Sequence, residues 1–311
     1  MQKPLNIVIP GGTGQIGTIL ARAFHAEGHN VVVLSRHPQP AVWTVKAWNS
    51  EVLGDWTADI EAADVVINLA GHTVNCRYTA ENRQLILKSR INSTQMIGKA
   101  ISAAKFPPRL WLQASAATSY SDEGLDQKLP NDIRSEMPDA AGNPFIVDVA
   151  KTWERTLDLA DVPQTRKVKL RTSLVMSPDQ GGVFSILLKL VRLGLGGRAG
   201  TGRQSISWIH YLDYIRAIYW LIDHEIEGAV NLTAPNPLPN DEFMRVLRQA
   251  AGIRVGLPAT ETMIRLGATI IRTESELILG SRRFVPTRLL ESGFAFQFPT
   301  WPDAARVLVR K

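Results

Sequence analysis

The sequence predicts an α/β protein: a doubly wound parallel sheet with helices on both faces, followed by a smaller C-terminal α+β lobe. Three observations predict it. In the first half of the chain, short apolar runs alternate with longer segments of helical period. The first run passes into a helix through the glycine-rich turn Gly11-Gly12-Thr13-Gly14-Gln15-Ile16-Gly17. Beyond about residue 178 the alternation gives way to helix-like pieces separated by Gly and Pro. Strands covered on both faces need continuous apolar runs, and such strands belong to parallel sheets.

Each element follows from its residues. Asn6-Ile7-Val8-Ile9 reads as a buried strand closed by Pro10-Gly11-Gly12. Across 15–27 the apolar positions Ile16, Ile19, Leu20, Ala23 and Phe24 have helical spacing, and Gly28 suits a C-terminal cap. Residues 30–34 and 64–69 read as two more buried strands, with a candidate strand at 44–48 between them. Only residues 35–43, with Pro38 and Pro40, precede that candidate. No crossover helix fits there, so a sheet edge without helical cover is expected. Residues 79–104 form a long helix with Ile97 and Ile101 on its apolar side. A strand at 110–115, a helix at 145–159 and a strand at 168–176 follow. Helices at 183–195, 211–224, 241–251 and 261–271, with short strands such as 230–233, make the lobe. Residues 1–177 are expected to form the sheet domain, with some later segments returning to it. Residues 178–311 form the lobe over the carboxyl ends of the strands.

Composition narrows the function. The 311 residues are 45% hydrophobic and 21% charged, which excludes a disordered or collagen-like chain. A single cysteine, Cys76, excludes an intrachain disulfide or a thiolate metal cluster and points to a reducing compartment. The net charge of +6 favours acidic ligands such as phosphates. The cations are scattered along the chain, without the run that marks a nucleic-acid binder. Residues 183–195 are the most apolar later stretch, but Lys189 and Arg192 interrupt it and it is too short to span a bilayer. The six histidines show no metal-ligand spacing, so no metal is expected. The expectation is a cytoplasmic protein with a small-molecule substrate and without a nucleic-acid or membrane partner.

The glycine turn carries the main chemical signal. Gly11 permits a tight reversal, Gly14 lets a pyrophosphate approach the backbone, and Gly17 lets the helix pack on the strand. The helix N-terminus adds free N–H groups and a positive dipole end. Together these predict a Rossmann-type dinucleotide site. An acidic residue at the end of the second strand would bond a ribose 2′-hydroxyl and select NAD. Ser35-Arg36 stands there instead, and a guanidinium suits a 2′-phosphate. NADP(H) is therefore expected over NAD.

With these residues in hand, the chain resembles the short-chain dehydrogenase/reductase superfamily, in its extended or atypical NAD-dependent epimerase/dehydratase branch. The glycine turn, Asn68-Leu69-Ala70-Gly71 and Arg90-Ile91-Asn92-Ser93-Thr94 carry the resemblance. Further on, Gly200-Thr201-Gly202-Arg203-Gln204, Ser207-Trp208-Ile209-His210, Ala234-Pro235-Asn236-Pro237 and Gly293-Phe294 through Pro299 resemble a subgroup with a C-terminal domain of unknown function. The resemblance implies cofactor contacts at Gly11, Thr13, Gly14, Gln15, Ile16, Gly17, Ser35, Arg36, Leu69, Ala70, Gly71, Arg90 and Lys151. It also makes a homodimer through the helices at 79–104 and 145–159 plausible.

One departure governs the chemistry. Superfamily members use a Tyr and a Lys four positions later on one helix face: the Lys holds the nicotinamide ribose and the Tyr exchanges the proton. Here Lys151 is in place, but Val147 occupies the tyrosine position, and no Tyr-x-x-x-Lys occurs anywhere in the chain. Ser115, at the end of its strand, is the candidate to polarise a substrate oxygen, against the plain reading of a hydroxyl bonding a loop backbone. Tyr120 and His210 are the candidates to replace the phenol, each against a structural role. Asp148 adjoins the vacant position but points about 100° away on a helix. Cys76 reads as an inert thiol rather than a reactive one. Two functions follow: an NADP(H)-dependent oxidoreductase or epimerase-like enzyme, or a non-catalytic NADP-binding sensor or scaffold.

Overall fold

The computed structural model describes residues 3–116, 144–270, 272–281 and 283–310. The order of elements begins β1 (Asn6–Pro10), α1 (Gln15–Ala26), β2 (Asn30–Ser35), β3 (Thr44–Ala47), α2 (Thr57–Glu61), β4 (Val65–Asn68), α3 (Ala80–Ala103), β5 (Leu110–Ala116), α4 (Pro144–Asp158) and β6 (Arg166–Thr172). It continues through β7 (Leu174–Met176), α5 (Val183–Arg192), β8 (Ser205–Ile206), β9 (Trp208–His210), α6 (Tyr211–Asp223), β10 (Gly228–Leu232), β11 (Leu238–Pro239) and α7 (Asn240–Ala250). The chain closes with α8 (Glu261–Ile270), α9 (Glu276–Leu279), α10 (Thr287–Glu291) and α11 (Trp301–Arg310).

Seven strands form one parallel sheet in the order β10-β6-β5-β4-β1-β2-β3. The direction of winding reverses between β1 and β4, the place where open α/β sheets leave a crevice at the strands' carboxyl ends. Alternate residues of β1 separate the two cores. Ile7 and Ile9 join a cluster with Leu20 and Phe24 of α1 and Ala217 and Leu221 of α6. Val8 faces the other way, with Ile60 of α2, Ile97 and Ile101 of α3 and Leu157 of α4. Both faces of the sheet are thus covered by helices, as continuous apolar strands demand. Edge strand β3 is mostly exposed, and Lys46 on it pairs with Asp59 of α2 at 2.8 Å. A charged edge discourages pairing with another chain.

Three details differ from the sequence expectation. The strand expected over 168–176 is two strands in two sheets. The chain breaks at Ser173, whose N–H and hydroxyl both donate to the Leu232 carbonyl, and β7 then pairs with β9. The short strand expected at 230–233 in the lobe is β10, which pairs in parallel with β6 and completes the main sheet. The one-turn helix α2 was not expected, because five residues carry too little periodicity to read.

The lobe has its own core. Phe184, Trp208, Phe243, Leu247, Trp301 and Leu308 cluster there, with the Phe243 and Trp301 rings stacked 4.0 Å apart. Asp213 ties this lobe to α6. Its buried carboxylate accepts hydrogen bonds from the Gln297 and Phe298 N–H groups, both at 2.7 Å, and from Arg216 at 2.9 Å. Among the described residues no helix is long and apolar enough to cross a membrane.

The Asp213 contacts generate a stability test. Asp213→Asn keeps the shape but removes the charge from three hydrogen bonds. Urea denaturation is expected to show a loss of about 2–3 kcal/mol.

Candidate functional site

The site is built where β1 turns into α1. Gly11 has φ +75, and a Cβ on it would lie 2.6 Å from the backbone of Ala70. The Gly11 N–H donates to the Leu34 carbonyl at 2.8 Å. A Cβ on Gly17 would lie 2.4 Å from the Gly12 Cα, so this glycine sets how closely α1 approaches the turn. Gly14 is different. Its φ is −72, and a Cβ there would meet nothing nearer than the Gly11 carbonyl oxygen at 3.8 Å. The fold does not need a glycine at this position; a ligand approaching the backbone does.

Gly14 is the N-cap of α1. It offers no side-chain cap, and the first turn holds no acidic residue. The first N–H groups of the helix therefore remain available to an anion. Gln15 adds a buried side-chain N–H donor that has no acceptor among the described residues.

At the end of β2 the buried Ser35 hydroxyl lies 3.2 Å from the Thr13 hydroxyl and accepts from the His37 N–H at 3.2 Å. Ser35 thereby locks the glycine turn to the loop that carries Arg36. Arg36 is exposed and makes no ion pair or side-chain hydrogen bond with any described residue. A cavity of about 330 Å³ opens here, lined by Gly11, Thr13, Gly14, Ser35, Arg36 and His37 on one side. Trp48, Ser50, Leu69, Ala70, Gly71 and Ser89 line the other, and among the described residues no carboxylate borders it. An anionic, partly aromatic ligand is what such a lining favours.

The β4 end forms the second wall. Asn68 is fully buried; its amide donates to Gln113 at 3.0 Å and its oxygen accepts from the Ala70 N–H at 3.1 Å. Arg90 supports the next two residues from below. Its guanidinium donates to the His72 carbonyl at 3.0 Å, lies 4.9 Å from the Trp153 ring centroid, and would stand 3.1 Å from a Cβ on Gly71. Burial pulls Arg90 down to about 10, and no carboxylate pairs with it among the described residues. Its contacts place it behind the cavity wall rather than in the lining.

The β5 end departs from expectation. Ser115 is buried, and its hydroxyl donates to Glu154 Oε1 at 2.6 Å. Arg171, opposite Ser115 in the sheet, bonds both carboxylate oxygens, Nε to Oε1 at 2.8 Å and NH2 to Oε2 at 2.7 Å. Burial pushes the Glu154 carboxyl up, against the Ser115 hydrogen bond and Lys169; burial also pulls Arg171 down to about 10. Glu154 lies seven residues beyond Val147 on α4, about 10 Å along the axis. The Ser115 proton is thus committed to a carboxylate two turns from the vacant phenol position. Val147 is buried, and Lys151 lies on the exposed side of α4.

The remaining candidates separate. His210 is fully buried between the Tyr211 and Phe298 rings, and its Nδ1 accepts from the Leu212 N–H at 3.2 Å to cap α6. That is the structural role weighed against proton relay. Tyr120 lies outside the described residues. Burial and the Glu274 carboxylate push the Cys76 thiol up, which disfavours a thiolate. The same Glu274 accepts from the Tyr78 N–H at 2.8 Å and pairs with Arg77 at 3.4 Å, pinning the loop after β4 to the lobe. Sequence reasoning missed the Glu154–Arg171 pair and the linings from Trp48, Ser50 and Ser89. A helical Glu beside Lys151 was visible, but nothing local marks a partner on a later strand.

The comparisons agree with this geometry. Residues 7–233 match the NAD dependent epimerase/dehydratase family, and residues 260–308 match a domain of unknown function, DUF1731. The human epimerase family protein SDR39U1 is 28% identical over 311 residues, covering 98% of this chain and 100% of the relative. A Staphylococcus epidermidis epimerase family protein is 30% identical over 316 residues, covering 97% and 98%. A crystal structure of human SDR39U1 (isoform2) with NADPH superposes with a TM-score of 0.80 at 26% identity, covering 98% of this chain and 99% of that one.

Two tests follow. Gly17→Ala should lower stability by about 1–3 kcal/mol through overpacking, whereas Gly14→Ala should stay within about 0.5 kcal/mol of the parent in thermal unfolding and weaken dinucleotide binding about tenfold. Ser115→Ala should lower stability by about 1.5–3 kcal/mol and leave dinucleotide affinity unchanged, both read on the same samples.

Proposed function

The chain belongs to the NAD-dependent epimerase/dehydratase family, and from that footing we propose that it is an NADP(H)-binding oxidoreductase or epimerase-like enzyme. Its substrate is a small carbonyl- or alcohol-bearing molecule held beneath the C-terminal lobe. The observation that carries the cofactor choice is Arg36, an exposed cation that pairs with no described residue, on a cavity that no described carboxylate borders. The human relative crystallised with NADPH supports the same choice.

The residues present fit the group. The N-terminus of α1 receives the pyrophosphate, Gly14 leaves space for it, and Arg36 answers a 2′-phosphate. Leu69, Ala70 and Gly71 border the adenine side. Lys151, as the family resemblance implies, holds the nicotinamide ribose. When bound, the nicotinamide supplies hydride exchange at a substrate carbon. The protein must then exclude water, orient the substrate and supply a proton. Val147 has none to give, and the Ser115 proton is held by Glu154. Proton supply falls to water or to Tyr120.

A second reading keeps the cofactor and drops the reaction: an NADP-binding sensor or scaffold. The buried Val147 and the committed Ser115 favour it. Consumption of NADPH across a panel of carbonyl and sugar-like substrates supports the enzyme; tight binding without turnover supports the sensor.

Arg36→Asp tests the shared premise. NADPH affinity should fall about 10–100-fold, the value of a charge-assisted pair, while NADH affinity holds or rises. Unchanged NADPH affinity in a fluorescence titration would refute the assignment of Arg36.

A further inference from the structure

Two segments of the C-terminal lobe are basic along their length. Residues 183–200 and 243–260 contain Lys189, Arg192, Arg198, Arg245, Arg248 and Arg254 and no Asp or Glu. Acids border the second segment: Asp241 and Glu242 precede it, Glu242 pairing with Arg245 at 2.9 Å, and Glu261 follows it. The two segments are distant in sequence and adjacent in space. The Leu257 N–H donates to the Gly194 carbonyl at 2.7 Å, the Gly197 N–H to the Leu257 carbonyl at 3.1 Å, and Arg248 to the Gly196 carbonyl at 2.6 Å.

Apolar side chains project at this junction. Leu190, Leu193, Leu195, Val255 and Leu257 are between 37% and 65% exposed. Around them Lys189, Arg192, Arg198 and Arg254 are exposed and form no ion pair with any described residue. Five exposed aliphatic groups, interspersed along these segments with cations that pair with no described residue, form an amphipathic face.

The occupant must be anionic and must accept aliphatic groups. A second copy docked through the same face brings Lys189, Arg192 and Arg254, which pair with no described acid, against their own counterparts. A protein partner is usually gripped by aromatic anchors, and leucine is under-represented among them. Both phenylalanines of these segments, Phe184 and Phe243, are buried in the lobe core. Leucines among Lys and Arg suit the interfacial layer of an anionic bilayer. We propose that this face of the C-terminal lobe docks the protein reversibly on an anionic lipid surface, with Leu193, Leu195, Val255 and Leu257 entering the acyl boundary. The cations pair with lipid phosphates. The absence of a spanning segment led to the expectation of no membrane partner; peripheral docking needs no such segment.

The test is co-sedimentation of the full chain with phosphatidylcholine vesicles, with and without roughly a third phosphatidylglycerol. Binding is expected only to the anionic vesicles and should be reversed by high salt. Arg192→Gln and Arg254→Gln should each weaken it about fivefold. The double variant Leu193→Asp with Leu257→Asp should abolish it while keeping the parent's unfolding midpoint. Equal binding to both vesicle types, or to neither, would overturn the proposal. So would undiminished binding by the double variant, comparable binding to soluble polyglutamate, or a dimer in solution that the double variant loses.

Discussion

Nothing can project from Gly11. The backbone of Ala70 passes within 2.6 Å of where its Cβ would be, so the turns after β1 and β4 touch directly. That contact closes the switch point of the sheet into a floor rather than a gap. The Leu69 N–H bonds the Pro10 carbonyl at 2.8 Å across the same seam. With the turn held there and Gly17 resting on Gly12, α1 starts directly above the floor. Its N-terminal N–H groups, the Thr13–Ser35 contact and the Arg36 loop all take their places from this close approach. A side chain at Gly11 would displace them together.

The chemistry at the other end of the site follows from a different constraint. Two desolvated guanidinium groups flank it, and they are treated differently. Arg171 is answered by Glu154 in a bidentate pair, which also captures the Ser115 proton. Among the described residues Arg90 is answered by carbonyls and the Trp153 ring, and no described carboxylate compensates its charge beneath Gly71. An uncompensated cation behind the wall adds to the attraction for an anionic ligand. A neutralised one fastens α4 to the sheet and holds the Ser115 proton on Glu154.

Much of this was legible in the sequence, and the reason is locality. The glycine turn, the Ser35-Arg36 choice and the seam residues Asn68 to Gly71 each depend on a few consecutive residues whose backbone needs are written in their types. The sheet strands were legible because burial on both faces demands unbroken apolar runs. Ser173 hid the break between β6 and β7, because β7 reads as more of the same apolar run and its pairing with β9 is non-local. The role of Ser115 was hidden for the same reason: Glu154 and Arg171 come from two later elements, and only their packing joins them. For His210 the sequence left two readings open, a proton relay and a structural role. His210 became a helix cap once Phe298 and Tyr211 enclosed it.

The proposed NADP(H) site lies at the carboxyl edge of β1, β2 and β4. Paired titration of the cofactor-free protein with NADPH and NADH, read by energy transfer from tryptophan to the nicotinamide, tests it most directly. Micromolar NADPH binding is expected, with NADH weaker by roughly tenfold or more. Equal affinity for the two would rule out a role for Arg36 in cofactor choice, and binding of neither would refute the site outright.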